Sequence, residues 1–226
     1  MAALLGFALT LSASYWQFGR AETKAQLLQE YLARQAMAPH NLNASIPGKE
    51  ALVHRRVRVE GQYVLEKAIL LDNRIRGGAA GYEVIVPLQI SRTGQYLLIN
   101  RGWIERGRDR TVVPAIDAPS GTVTVTGTTD LPGRGALELS DEVIEGRIWQ
   151  NLNLARYRNK HQLNVLDFVV QEESDRDDGI SRDWAAPGFG IETHRSYAVQ
   201  WLLFAALIVF LYVYYGFVRN KTDQQK

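Results

Sequence analysis

The sequence predicts a membrane protein with a transmembrane helix at each end and, between them, a mainly β antiparallel domain, barrel or sandwich, with minor helices. Three observations predict it. The first 19 residues carry no charged side chain, and neither do the 22 residues from Tyr197 to Val218, so all 26 Lys and Arg and all 24 Asp and Glu fall elsewhere. From Arg56 onward Val57, Val59, Gly61 and Tyr63 alternate with polar residues, the period of a half-buried strand. Short apolar runs then recur between Gly and Pro turns with few helical stretches among them, which favours an antiparallel barrel or sandwich over a doubly wound fold.

The C-terminal stretch is the clearer span. At about 1.5 Å per residue it covers roughly 33 Å, against a hydrocarbon core of about 30 Å. Tyr197 and Trp201 mark one rim and Tyr212, Tyr214 and Tyr215 the other, and Arg219 and Lys221 follow at once, which suits a cytoplasmic end. The N-terminal stretch, Met1 to Phe18, is interrupted by Thr10, Ser12, Ser14 and Gln17 and reads either as an uncleaved anchor or as a signal peptide, because Ser12, Ala13 and Ser14 resemble a cleavage site. The absence of a basic region before it, and its unbroken passage into a helix-favouring segment from Ala21 to Met37, favour the anchor. An uncharged start also points to a natural N-terminus upstream. The expected division is a transmembrane helix over 1–19, an extracytoplasmic mainly β domain over 20–195, a transmembrane helix over 196–218 and a cytoplasmic tail over 219–226.

Within the domain, Leu27, Leu28, Tyr31 and Leu32 recur at helical spacing and Pro39 ends that helix. After the strand at Arg56 to Tyr63, further strands are expected at Ala68 to Leu71, Tyr82 to Ile90, Tyr96 to Ile104, Thr122 to Thr128, Arg147 to Leu152 and Leu166 to Gln171. Only Leu154 to His161 reads as helix there, with Asn153 as its N-cap. Leu70 to Arg74 and Leu97 to Arg101 both end in Asn-Arg, and the two echoes read as paired turns at strand ends. Residues 172–190 are acidic, then rich in Gly and Pro, and read as a flexible linker.

Composition excludes several classes of function. Setting aside Arg219, Lys221, Lys226 and Asp223, the remainder has equal numbers of acidic and basic residues, where a nucleic-acid binder would show a basic excess. With no cysteine there is no disulfide framework and no thiolate metal site. No GxSxG, HExxH, P-loop or dinucleotide fingerprint occurs, which argues against an enzyme. Gly77, Gly78 and Gly81 read as a hairpin loop, and Arg101, Arg106, Arg108 and Arg110, interleaved with Glu105 and Asp109, as a solvated turn and not an anion site. His40, His54 and His161 lie in polar, loop-like or surface contexts, but His194 stands three residues before Tyr197 and seven before Trp201, on one helical face at the membrane rim. Two readings stand side by side. His194 is an interfacial anchor, or a neutral imidazole holding haem iron axially while the aromatic face and the apolar span hold the macrocycle.

An ordered set of residues now resembles a known pattern: Trp16-Gln17 followed by Arg20 and Lys24; Val59, Gly61 and Tyr63; Leu71 to Arg74; Gly81-Tyr82 with Pro87-Leu88; Asn100 to Trp103; and His194, Tyr197-Ala198 and Trp201. Across nearly the whole chain this resembles the Surfeit-locus family of cytochrome c oxidase assembly factors. The resemblance implies an assembly chaperone, not an enzyme, that delivers or inserts haem a into the large oxidase subunit. It implies His194 as the haem iron ligand, with Tyr197, Trp201 and Trp16 candidates for the same cofactor pocket, although Trp16 also suits an interfacial anchor. Implied partners are the large oxidase subunit, membrane lipid and the haem a synthesis machinery, with no nucleic acid. The implied location is a bacterial inner membrane, multi-pass, with the main domain periplasmic, since no Arg-rich transit peptide is present. Ala13-Ser14 departs from the Leu-Gly pair frequent before the tryptophan motif, and Gln200 stands where some members have Thr. The alternative function is a haem-free scaffold that stabilises oxidase assembly intermediates.

Overall fold

The computed structural model describes residues 1–107, 114–132, 146–174, 176–184 and 187–223, the last six of these for their backbone alone. In chain order the elements are α1 (Ala2–Ala36), β1 (His40–Asn41), α2 (Lys49–Leu52), β2 (Arg56–Tyr63), a 3-10 turn (Leu65–Lys67), β3 (Ile69–Arg76), β4 (Ala79–Ile90), β5 (Tyr96–Glu105), β6 (Thr122–Asp130), β7 (Ile148–Trp149), α3 (Leu154–His161), β8 (Val165–Glu172) and α4 (Ile191–Asp223). They form two compact units, Met1–Leu32 with Ala186–Lys226, and Ala33–Ala185.

The first unit is an antiparallel pair of long helices. α1 runs unbroken from the charge-free stretch into the expected amphipathic segment. Its less exposed positions, Phe7, Thr10, Ser14, Gln17, Ala21 and Lys24, recur at alternating four- and three-residue steps, and Ile191, His194, Ala198, Ala205 and Ile208 of α4 follow the same heptad. Small residues occupy the closest points. Ser14, Ala21, Ala198 and Ala205 are buried, and a Cβ on Gly6 would stand 3.4 Å from Ile208 Cδ1. Such residues let two backbones approach where lipid removes the hydrophobic drive for pairing. Leu203 and Phe210, by contrast, face outward and are exposed. Among the described residues one helix is long and apolar enough to cross a membrane, over Ile191–Phe217. α1, expected as a second span, does not reach that apolarity because Thr10, Ser12, Ser14 and Gln17 interrupt it.

The second unit is a closed β-barrel. Strands run in the order β1-β2-β6-β8-β5-β4-β3-β7, and a further pairing of β2 with β4 closes β2, β6, β8, β5 and β4 into a ring. Gly61 makes the closure. It pairs with Val123 of β6 on one side and Ile90 of β4 on the other, and a Cβ there would overlap the Gln89 carbonyl oxygen. Within the ring β8 runs parallel to β5 while the other neighbours are antiparallel, so the barrel is not wholly antiparallel as expected. The cause is the crossover through α3, the kind of connection a parallel pair requires.

Val57, Val59, Leu97, Ile99 and Phe168 fill the interior, and on the outside Trp149 and Tyr157 pack on Ile69, Ile85, Leu98 and Val169. β4 and β5 are thus buried on both faces, which explains their continuous apolar runs. Asn153 caps α3 as expected, accepting from Arg156 N at 3.0 Å, and Tyr157 Oη donates to the Lys67 carbonyl at 2.6 Å. Gly77 and Gly78, both with positive φ, form the β3–β4 hairpin turn. The strand expected over Arg147 to Leu152 is confined to two residues, Ile148–Trp149.

Three further expectations are corrected. The Asn-Arg echoes are not paired turns: Asn73 (φ 59°) sits at a bulge inside β3, and Asn100-Arg101 lies inside β5. Arg101 is not solvated but fully buried, while Arg106 reaches Asp72 at 3.9 Å; Arg108, Asp109 and Arg110 lie outside the described residues. The described part of the acidic stretch before residue 185 is tied to the barrel. Trp103 and Ser181 exchange both backbone hydrogen bonds at 2.8 Å, Trp184 Nε1 donates to the Glu172 carbonyl at 2.8 Å, and Arg76 donates to the Asp183 carbonyl at 2.7 Å. Gly102 (φ 128°) permits the first contact, because a Cβ there would overlap the Ser181 carbonyl oxygen.

Candidate functional site

Each unit gathers polar side chains at one place. In the barrel, Arg101 donates to Glu172 Oε2 at 3.4 Å, to Asp178 Oδ2 at 2.6 Å and to the Asp117 carbonyl, with its guanidinium 5.3 Å from the Tyr63 ring centre. Arg182 meets the same two acids, Asp178 at 2.5 Å and Glu172 at 3.6 Å. Burial pulls the Asp178 carboxyl upward, but the hydrogen bond and charge of Arg182, with the Ile180 N–H and Arg101, outweigh it and hold the group below the usual carboxylate range. Burial likewise pushes the Tyr63 phenol well above its ordinary value. These groups answer one another's charges inside the barrel. The arrangement is a lock that fastens the segment after β8 to β5.

The helix pair holds the other grouping, and here the residues singled out in the sequence meet the structure. His194 lies in the first turn of α4, its backbone N–H donating to Gly190 at 3.2 Å, and its Nδ1 stands 2.7 Å from Gln17 Oε1 on α1. No hydrogen bond to Nε2 is made among the described residues. One turn further along, Ser14 Oγ donates to the Ala198 carbonyl at 2.9 Å. Trp201 lies next on the heptad, 36% exposed, with its ring edge-on to Phe204 at 5.8 Å. Tyr197, 50% exposed, and Trp16, 58% exposed, stand off the seam. The structure therefore joins His194 to Gln17, which sequence reading left as a polar interruption of the first apolar stretch. The available signal was the heptad: Gln17 is the step between the small residues Ser14 and Ala21.

Beside the first turn of α4 lies a cleft of about 360 Å³ lined by Leu28, Pro187, Phe189, Ile191 and Thr193, at the lower end of the range for ligand sites. A larger groove of about 740 Å³, between Ala3 and Tyr212 to Phe217, offers only apolar and phenolic side chains. No three His, Cys, Asp or Glu side chains converge anywhere among the described residues. A half-buried imidazole with one nitrogen free of hydrogen bonds among the described residues could give a metal a single donor.

Comparison with known proteins supplies the remaining observation. The profile of the SURF1 family matches residues 4–206, which include most of α1, the barrel and the first half of α4. SURF1-like proteins of three Rickettsia species align over almost the full chain. That of Rickettsia felis is 24% identical over 94% of this chain and 94% of its own length, that of Rickettsia conorii 23% over 92% and 87%, and that of Rickettsia prowazekii 24% over 96% and 89%.

Proposed function

The chain belongs to the SURF1 family, and we propose that it serves cytochrome c oxidase assembly by holding haem a on His194 at the rim of a membrane helix pair. Membership implies the role in oxidase assembly; the haem step is our reading. The observation that carries it is His194 itself, one turn into a membrane-length helix, with one nitrogen bonded across the seam and the other without a hydrogen bond among the described residues.

His194 would supply the axial nitrogen, and Trp201 and Tyr197 the aromatic surface beside it. Bound haem supplies four ring nitrogens and an iron that takes the fifth from the protein. The apolar surface of α4 keeps a poorly water-soluble macrocycle at membrane depth, and one protein ligand lets a recipient with more ligands displace it. Trp16, exposed at the same level of α1, suits an interfacial anchor.

We read α1 as the second span, because it lies against α4 from Gly6, at Ile208, to Gln17, at His194. The first of those contacts puts the start of α1 beside the middle of the apolar helix. With Arg219 and Lys221 on the cytoplasmic side, the barrel would lie in the periplasm of a bacterial inner membrane, where it would dock on the large oxidase subunit as a chaperone and not an enzyme.

One observation favours a second reading. The Gln17–His194 hydrogen bond is already complete as a pin between helices, as a haem-free scaffold for assembly intermediates would need. An absorbance spectrum separates the two, taken on detergent-purified protein from cells that make haem a, for wild type and His194→Ala. A haem a band lost in the variant supports carriage. No band in either protein, with the oxidase still failing to assemble when the gene is deleted, leaves the scaffold.

A further inference from the structure

We propose that Gln17 is a positioning residue for His194, setting which imidazole nitrogen carries the proton and so presenting Nε2 as the donor atom. The inference rests on the reading of His194 as an iron ligand. A neutral imidazole has one N–H and one lone pair, and the hydrogen bond at one nitrogen decides the state of the other. Gln17 Oε1 stands 2.7 Å from His194 Nδ1, and an amide oxygen can only accept. With that oxygen facing the ring, Nδ1 would carry the hydrogen and Nε2 the lone pair.

The surrounding helices hold that choice in place. Ser14 and Gln17 are successive heptad positions on α1, as His194 and Ala198 are on α4. The Ser14 bond to the Ala198 carbonyl, at 2.9 Å, fixes the rotation and depth of α1 against α4, so the Gln17 amide is delivered to the level of the imidazole. Metal-bound histidines commonly give their second N–H to a carboxylate or carbonyl oxygen, which orients the ring and raises its basicity. A carboxamide orients the ring in the same way but adds no negative charge at the rim. The resulting iron bond is weaker than a carboxylate-backed one, which suits a ligand that must let its cargo go.

The test reads the tautomer before any haem is present. Full-length protein labelled with ¹⁵N-histidine is observed in detergent by NMR at about pH 8.5, two units above the ordinary histidine value. Four histidines are present, and His194→Ala identifies the signal. The Nδ1–H form is expected in wild type and in Gln17→Glu, which keeps the acceptor. Gln17→Leu should move the population to the Nε2–H form favoured by free histidine. Titration with haem a should then show Gln17→Leu weakened by about 10–100-fold, the usual effect of losing such a partner, and Gln17→Glu not weakened. An Nε2–H wild type, or an unchanged tautomer in Gln17→Leu, overturns the assignment of Gln17. A preserved tautomer pattern with haem a binding that is indifferent to His194→Ala overturns the iron-ligand reading instead, and leaves Gln17 as an inter-helix pin.

Discussion

Replacing Arg101 by Met removes a buried guanidinium while keeping most of its apolar volume. In the native barrel the Arg101 and Glu172 side chains are both fully buried, and Arg101 also meets Asp178 at 2.6 Å and the Asp117 carbonyl. After the substitution Glu172 keeps Ser174 Oγ at 2.7 Å, Arg182 at 3.6 Å and Arg176 at 3.9 Å. Three arginines facing two acids become two facing two, so formal charge is balanced, but the most deeply buried donor is gone. The expected loss is therefore at the lower end of the ~3–5 kcal/mol observed when one partner of a buried pair is removed. At about 2–4 °C per kcal/mol for a unit the size of Ala33–Ala185, the midpoint of unfolding should fall by roughly 6–12 °C. Thermal unfolding of the full chain in detergent, followed by near-ultraviolet circular dichroism, reports it, since Trp103, Trp149 and Trp184 all belong to this unit. Arg101→Lys should recover little, because a point charge cannot bridge two carboxylates and a carbonyl. A loss below about 1 kcal/mol, the range of an exposed pair, would refute the idea that this cluster locks the barrel.

Asp178 makes the same lock sensitive to acid. Its folded pKa lies below the ordinary 3.8, so the unfolded chain takes up the proton first; stability present above 3.8 is lost as pH falls through that value toward the folded pKa. Denaturant unfolding should steepen below about pH 4 in wild type more than in Asp178→Asn, and equal slopes would contradict the assignment. In the helix pair, Ala205→Leu forces a large side chain into a buried seam position and should separate the helices. The chain has no cysteine, so Gly6→Cys with Ile208→Cys gives a unique oxidative cross-link; undiminished cross-linking in the Leu variant would show that Ala205 is not at a close point of the seam.

What the sequence alone determined was whatever neighbouring residues decide. The membrane-length helix after Ile191, the alternation through β2, the helix at Leu154–His161 with its Asn153 cap, and the glycine hairpin after β3 all depend on side chains within a few positions of one another. Family membership was legible for a related reason, since its pattern is an ordered series of short local groups. Only the tertiary structure decided which distant groups meet. Arg101 stands in a stretch of alternating charges that resembles a solvated turn, yet its partners Glu172 and Asp178 lie 71 and 77 residues away and take it out of water. Asn73 reads as a turn residue because asparagine tolerates the left-handed backbone that a turn and a bulge can both require. The acidic stretch after β8 reads as linker by composition, because nothing local reveals that a buried arginine and a β5 backbone will satisfy it. Gln17 and His194 are 177 residues apart, and only the antiparallel register of α1 on α4 brings an amide oxygen to an imidazole nitrogen. Sequence carries the period of each element; the register between elements comes from packing, which closes the barrel at Gly61 and sets the two helices at Ser14 and Ala198.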